Sequence, residues 1–106
     1  MIEHRRMQSV AGRVTPPEMA DILGEVVGER RRQDDKWGDQ NYRPAIEWLA
    51  ILTEELGEVA MDTNEIHFRP DDPDSTDARA ALRKELIQVA AVAVAWVEAI
   101  DDPSEE

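Results

Sequence analysis

Apolar residues recur along this chain at helical spacing in three stretches, and no stretch shows the two-residue alternation of a half-buried strand. The first opens at Thr15-Pro16-Pro17-Glu18, where Thr15 can cap, proline is tolerated in the first turn and Glu18 completes a capping box. The spacing predicts a helix over residues 17–37, with Met19, Ile22, Leu23, Val26 and Val27 on one face and Gly38 as its stop. Its second half, residues 29–36, carries almost no apolar side chain and must be solvated or face a polar ligand. Pro44 opens a second helix, expected over 44–66, with Leu49, Leu52, Leu56, Val59 and Ala60 along one face. At about 100° per residue, Glu55, Glu58 and Asp62 run along one flank of that stripe, with Glu47, Glu54 and Glu65 further round. Residues 69–76 have loop chemistry, and Thr76 or Asp77 caps a third helix over 78–100. From Leu86 onward this last helix is apolar nearly all round, more than one small chain can cover.

With 106 residues there is room for one domain and a modest core. The expected architecture is all-α: a bundle of three main helices over 15–100, completed by self-association into a homodimer or homotetramer. A loose N-terminal arm, 1–14, precedes it and an acidic tail, 101–106, follows. Twelve basic against twenty-four acidic residues give a net charge of -12. That balance opposes binding to nucleic acid polymers and anionic membranes, which need clustered Lys and Arg. The absence of cysteine excludes disulfides, thiolate catalysis and Cys-based metal centres. Residues 1–13 lack the apolar core of a secretory signal, and the run 86–100, interrupted by Gln88 and Glu98, is too short to span a bilayer. A cytoplasmic location is expected.

Within this frame two residue pairs carry candidate chemistry. Glu55/Glu58 and Glu85/Gln88 share i, i+3 spacing, so on two packed helices each pair would point oxygen-bearing side chains across one gap. Oxygen donors suit a hard cation such as Mg2+. Glu-x-x-Glu also arises on ordinary solvated helix faces. Gln88, set among apolar neighbours, is more telling: a buried amide without partners costs about 1–3 kcal/mol, so a neighbouring helix, its mate in a second subunit, or a metal or its water must satisfy it. His4 and His67 form no Glu-x-x-His pair, which argues against ferritin-like di-iron and His-zinc sites, and both are expected at the surface. Ser9, Ser75 and Ser104 have no evident base beside them.

Gln33 and Trp37 lie one helical turn apart, with Lys36 alongside and Gln40 just beyond the stop. An aromatic platform, a cation and amides are what a nucleotide would use; the alternative for Trp37 is a packed anchor at the helix end. Trp48 and Trp96 are assigned to packing.

The order of a Lys36-Trp37-Gly38-x-Gln40 turn, a Glu54-Glu55-x-x-Glu58 helix and a Glu85-x-x-Gln88 helix resembles the MazG-like branch of the all-α nucleoside triphosphate pyrophosphohydrolases, over about residues 29–100. In that family Glu-Glu-x-x-Glu is followed by Glu-x-x-Asp, and Gln88 departs from the pattern by carrying an amide where the family has a carboxylate. An amide oxygen can ligate Mg2+ but adds no charge. The resemblance implies Mg2+ held by Glu55, Glu58, Glu85 and Gln88, with Asp62 on the same flank. It further implies hydrolysis of a nucleoside triphosphate to the monophosphate and pyrophosphate, with Glu54 orienting water or acting as base. Lys36 would meet phosphate oxygens, while Trp37 with Gln33 or Gln40 would hold the base. A catalytically weak nucleotide binder, or a helical oligomerisation module, is the alternative that Gln88 and the apolar third helix allow.

Overall fold

A computed structural model describes residues 17–69 and 75–102. The arm, the Thr15 cap, the middle of the 69–76 loop and most of the acidic tail lie outside the described residues. Three helices account for nearly all of what is described: α1 (Pro17–Trp37), α2 (Ala45–Phe68) and α3 (Ser75–Asp101), with no strand among the described residues. None of these helices is long and apolar enough to cross a membrane.

The stop of α1 follows from local chemistry. Gly38 adopts φ 77°, a conformation that a side chain would disfavour, and its N–H bonds back to the Asp34 carbonyl at 2.8 Å. Pro44, extended at φ -71° and ψ 160°, precedes α2, and its carbonyl accepts from the N–H groups of Glu47 and Trp48. The other ends differ from expectation by two or three residues: α2 continues to Phe68 and α3 begins at Ser75. No glycine interrupts either stretch, so each helix continues for part of a turn.

Helix α3 is the centre. Both α1 and α2 pack against it, and they do not pack against each other. Its inward residues are small: Ala91, Val92, Ala95 and Ala99 are buried. Trp48 of α2 joins Val92, Ala95 and Ala99 in one cluster, with Ile51, Leu52 and Trp96 packed around it. The face that α2 turns inward is therefore Trp48, Ile51 and Leu52, rotated from the expected stripe, and Leu49 and Leu56 stay exposed. The apolar arc of α2 is wider than one neighbouring helix can cover, so the position of α3 selects which part is used. Helix α1 buries Val26 and is tied to α3 by two ion pairs. Arg83 forks onto Glu25 with both distances 2.7 Å, and Arg30 reaches Glu98 at 2.6 Å.

Large apolar side chains remain uncovered on every helix. Ile22, Leu23 and Val27 on α1, Leu49 and Leu56 on α2, and Leu86, Val97 and Ile100 on α3 are all exposed.

Candidate functional site

Because α1 and α2 grip α3 without meeting, and because Val92 and Ala95 between them are small, a cleft of about 820 Å³ opens over α3. One wall comes from the C-terminal half of α1 and the turn after it, including Arg30, Gln33, Trp37, Gln40 and Asn41. The other comes from Arg43, just before α2, and from the first half of α2, including Trp48, Glu54 and Glu55. The polar half of α1 thus faces this cleft: residues 30, 33 and 37 recur at the same i, i+3, i+7 spacing that elsewhere marks an apolar stripe.

Beyond the cleft on the α2 side stands the acidic cluster. Glu55, Glu58 and Glu85 each offer an oxygen within 4.8 Å of the others, so α2 and α3 bring the Glu55/Glu58 pair and Glu85 to one place. Glu55 belongs to cluster and cleft alike. Two oxygens, Glu55 Oε1 and Glu85 Oε1, are sealed from solvent without a hydrogen-bond partner. Ionised carboxylates only accept, so these groups need either a shared proton or a cation. Without a cation, Glu85 is pushed up to about 7, first by burial, then by its hydrogen bond to Glu58 and the charges of Glu58, Glu55 and Asp62. Glu55 is raised as well, by burial first and then by Glu58 and Glu54. The donor set is all oxygen, its charge is uncompensated, and its spacing can close around a small ion. It fits Mg2+.

The remaining predicted residues are placed as follows. Gln88 lies one turn beyond Glu85 on α3, half-buried, and makes no side-chain hydrogen bond among the described residues. Asp62 is half-buried and near enough to raise Glu85. Glu54 is exposed on the cleft wall. Trp37 is 59% exposed, so it is no core anchor, and Lys36 sits 4.8 Å from its ring centroid without lining the cleft. Gln33 and Gln40 line the cleft. Trp48 packs as expected and also forms part of the cleft wall. His67 is exposed and meets Phe68 edge-on; His4 lies outside the described residues.

Sequence reasoning did not single out Arg30, Asn41 or Arg43. Arg30, its side chain only 14% exposed, binds Glu98 at 2.6 Å, Asp34 at 3.1 Å and the Gln33 oxygen at 3.4 Å. Glu29, beside it, is held below the usual carboxylate range by hydrogen bonding to Arg32, which keeps it ionised. Its charge is felt at Glu55 across the gap between helices. The polar 3.6-residue repeat in α1 was the signal that could have found Arg30.

Fold and site together define an all-α chain with an acidic cluster at the end of a mixed polar–aromatic cleft. No family model, curated protein or solved structure matches this chain.

Proposed function

We propose that this protein is a Mg2+-dependent nucleoside triphosphate pyrophosphohydrolase of the MazG-like all-α type, releasing a nucleoside monophosphate and pyrophosphate. One observation carries the reading: Glu55 is shared between a three-carboxylate cluster and a cleft whose far wall holds an exposed tryptophan and amides. Phosphates would lie toward the cluster and the base toward Trp37.

In this reading Glu55, Glu58 and Glu85 hold the cation, with Gln88 one turn further along α3. Mg2+ supplies neutralisation of phosphate charge and a more acidic water. The protein's own groups do the rest. Glu54, on the cleft wall, orients the attacking water or accepts its proton. Attack at phosphorus breaks one phosphoanhydride bond, and the leaving pyrophosphate takes that bond's electron pair. Trp37 gives a face for the base; Lys36, 4.8 Å from that ring's centroid, stands at the base end and is left out of the phosphate role.

The large apolar residues left exposed on all three helices support self-association as part of the same proposal. A cytoplasmic location belongs to it as well. Gln88 is the observation that favours a second reading, a nucleotide binder with weak turnover, because it leaves the cluster one carboxylate short of the family pattern.

The test is pyrophosphate release from a panel of ordinary and modified nucleoside triphosphates with Mg2+. Glu55→Ala and Glu58→Ala should each abolish it while far-ultraviolet circular dichroism stays unchanged. Full turnover in either variant removes the metal-site reading. Thermal stabilisation by Mg2+ and nucleotide without turnover selects the binder.

A further inference from the structure

The amides around the cleft differ in what they leave free. The Gln33 oxygen accepts from Arg30 at 3.4 Å. Gln40 and Asn41 are each engaged at one end only. Arg43 Nε donates to Gln40 Oε1 at 2.6 Å, and Asn41 Nδ2 donates to Asp102 Oδ2 at 2.8 Å. The sense of each amide follows from its partner's chemistry: a guanidinium can only donate and an ionised carboxylate can only accept. Gln40 must therefore turn its oxygen to Arg43, and Asn41 its nitrogen to Asp102. What remains is opposite on adjacent residues, an NH2 on Gln40 and a carbonyl oxygen on Asn41.

The turn that carries them is braced. Asn41 N–H donates to Asp39 Oδ1 at 2.9 Å, Arg43 N–H donates to the Gln40 carbonyl at 3.1 Å, and Glu47 holds the Arg43 guanidinium at 3.1 Å. The cations of the cleft wall are committed too: Arg43 to Gln40 and Glu47, Arg30 to Glu98 and Asp34. This end of the cleft thus offers a neutral donor, a neutral acceptor and the exposed ring of Trp37.

We propose that Gln40 Nε2 and Asn41 Oδ1 form a fixed donor–acceptor pair that reads the hydrogen-bonding edge of a nitrogen heterocycle, with Asp102 and Arg43 as positioning residues. The inference rests on the nucleotide reading above and assigns the part of the substrate that this turn recognises. Nucleobases present an acceptor beside a donor along one edge, which an amide-type pair complements. Phosphates, being acceptors only, would find Asn41 Oδ1 repulsive.

Kinetics on the full chain with Mg2+ test it, using ATP, GTP, CTP and UTP, a ring-N-methylated counterpart of the best of these, and inorganic tripolyphosphate as a competitor without a ring. Gln40→Met and Asn41→Leu should raise KM for the best nucleotide by about tenfold with kcat nearly unchanged, the signature of lost uniform binding. Inhibition by tripolyphosphate should stay within about twofold in both variants, because no ring is involved. Ring methylation should penalise the native protein, and the penalty should vanish in Asn41→Leu where the methylated nitrogen is a donor (guanine, uracil) and in Gln40→Met where it is an acceptor (adenine, cytosine). Asp102→Asn, which frees the Asn41 amide to flip, should narrow the preference among bases. Native KM for every nucleotide in Gln40→Met and Asn41→Leu overturns the pair alone, as does an equal loss of tripolyphosphate affinity. Absence of nucleotide binding and turnover in the native protein overturns the nucleotide reading and the pair with it. Should Asn41→Leu not fold, Gln40→Met carries the test.

Discussion

Replacing Glu85 by glutamine removes one charge from a cluster whose three carboxylates lie within 4.8 Å of one another. Glu85 rises from 4.5 to about 7 in the folded chain because burial and its acidic neighbours favour the protonated form. A carboxyl whose folded value is raised contributes stability fully below its unfolded value, and that contribution is lost as pH climbs through the folded value. Without metal, the native protein should therefore weaken between about pH 4.5 and 7. At 1.36 kcal/mol per unit the upper bound is about 3 kcal/mol, reduced to about 1–2 kcal/mol because Glu85 is only half-buried and solvent screens the repulsion. Glutamine keeps the shape and cannot ionise. Glu85→Gln should match the native protein near pH 5 and exceed it at pH 8 in EDTA by about 1–2 kcal/mol, or on the order of 5–10 °C in Tm. With Mg2+ the order reverses, since binding at one hundred times Kd adds about 2.7 kcal/mol that the variant loses. Thermal melts at pH 5, 6, 7 and 8, each in EDTA and in Mg2+, read both effects. A variant less stable than the native protein at pH 8 in EDTA, or one that gains as much from Mg2+, refutes the cluster as a cation site.

The remaining predictions concern packing, the cleft wall and assembly. Ala91 is wholly buried, so Ala91→Leu should overpack α3 and lower stability by about 1–3 kcal/mol, measured by urea unfolding; an unchanged midpoint would mean the helices yield freely there. Arg30→Met keeps an apolar stem but removes the link to Glu98 and Gln33, and should lose about 1 kcal/mol at low salt, with a smaller difference in 1 M NaCl. Its KM for nucleotide should rise while Mg2+ binding by calorimetry holds steady. Leu23, 52% exposed, lies in the uncovered stripe of α1, and Leu23→Glu should shift the sedimentation coefficient toward that of a monomer. A native protein already monomeric at micromolar concentration would end the self-association reading.

Helix α1 was legible to the residue, because proline at one end and Gly38 at the other punctuate it locally. The inward face of α2 was not. Leu49, Leu56 and Ala60 match a helical stripe as well as Trp48, Ile51 and Leu52 do, and only the neighbour that arrives decides between them. The acidic pairs were legible because i, i+3 spacing is a property of one helix, and the cluster needed only two such helices to meet. Arg30, Asn41 and Arg43 depend instead on two helices failing to meet, and sequence spacing carries no signal of a gap. Gln40 was named without the feature that gives it meaning, the Arg43 bond that fixes its amide.

That gap also ties the cleft to the uncovered surface. Helix α1 supplies a cleft wall, yet it buries one large apolar side chain, Val26, worth about 1.5–3 kcal/mol. Its two ties to α3 use exposed carboxylates, and such pairs hold weakly. For a wall anchored so lightly, any time spent elsewhere would reduce the proposed ligand's affinity by the fraction with Trp37 and the 38–43 turn in place. Ile22, Leu23 and Val27 lie on this same helix and are about half exposed among the described residues. A second copy covering them would hold the wall where the cleft needs it. Under the proposed self-association and nucleotide binding, assembly and ligand affinity would be linked through α1, each strengthening the other by the same factor.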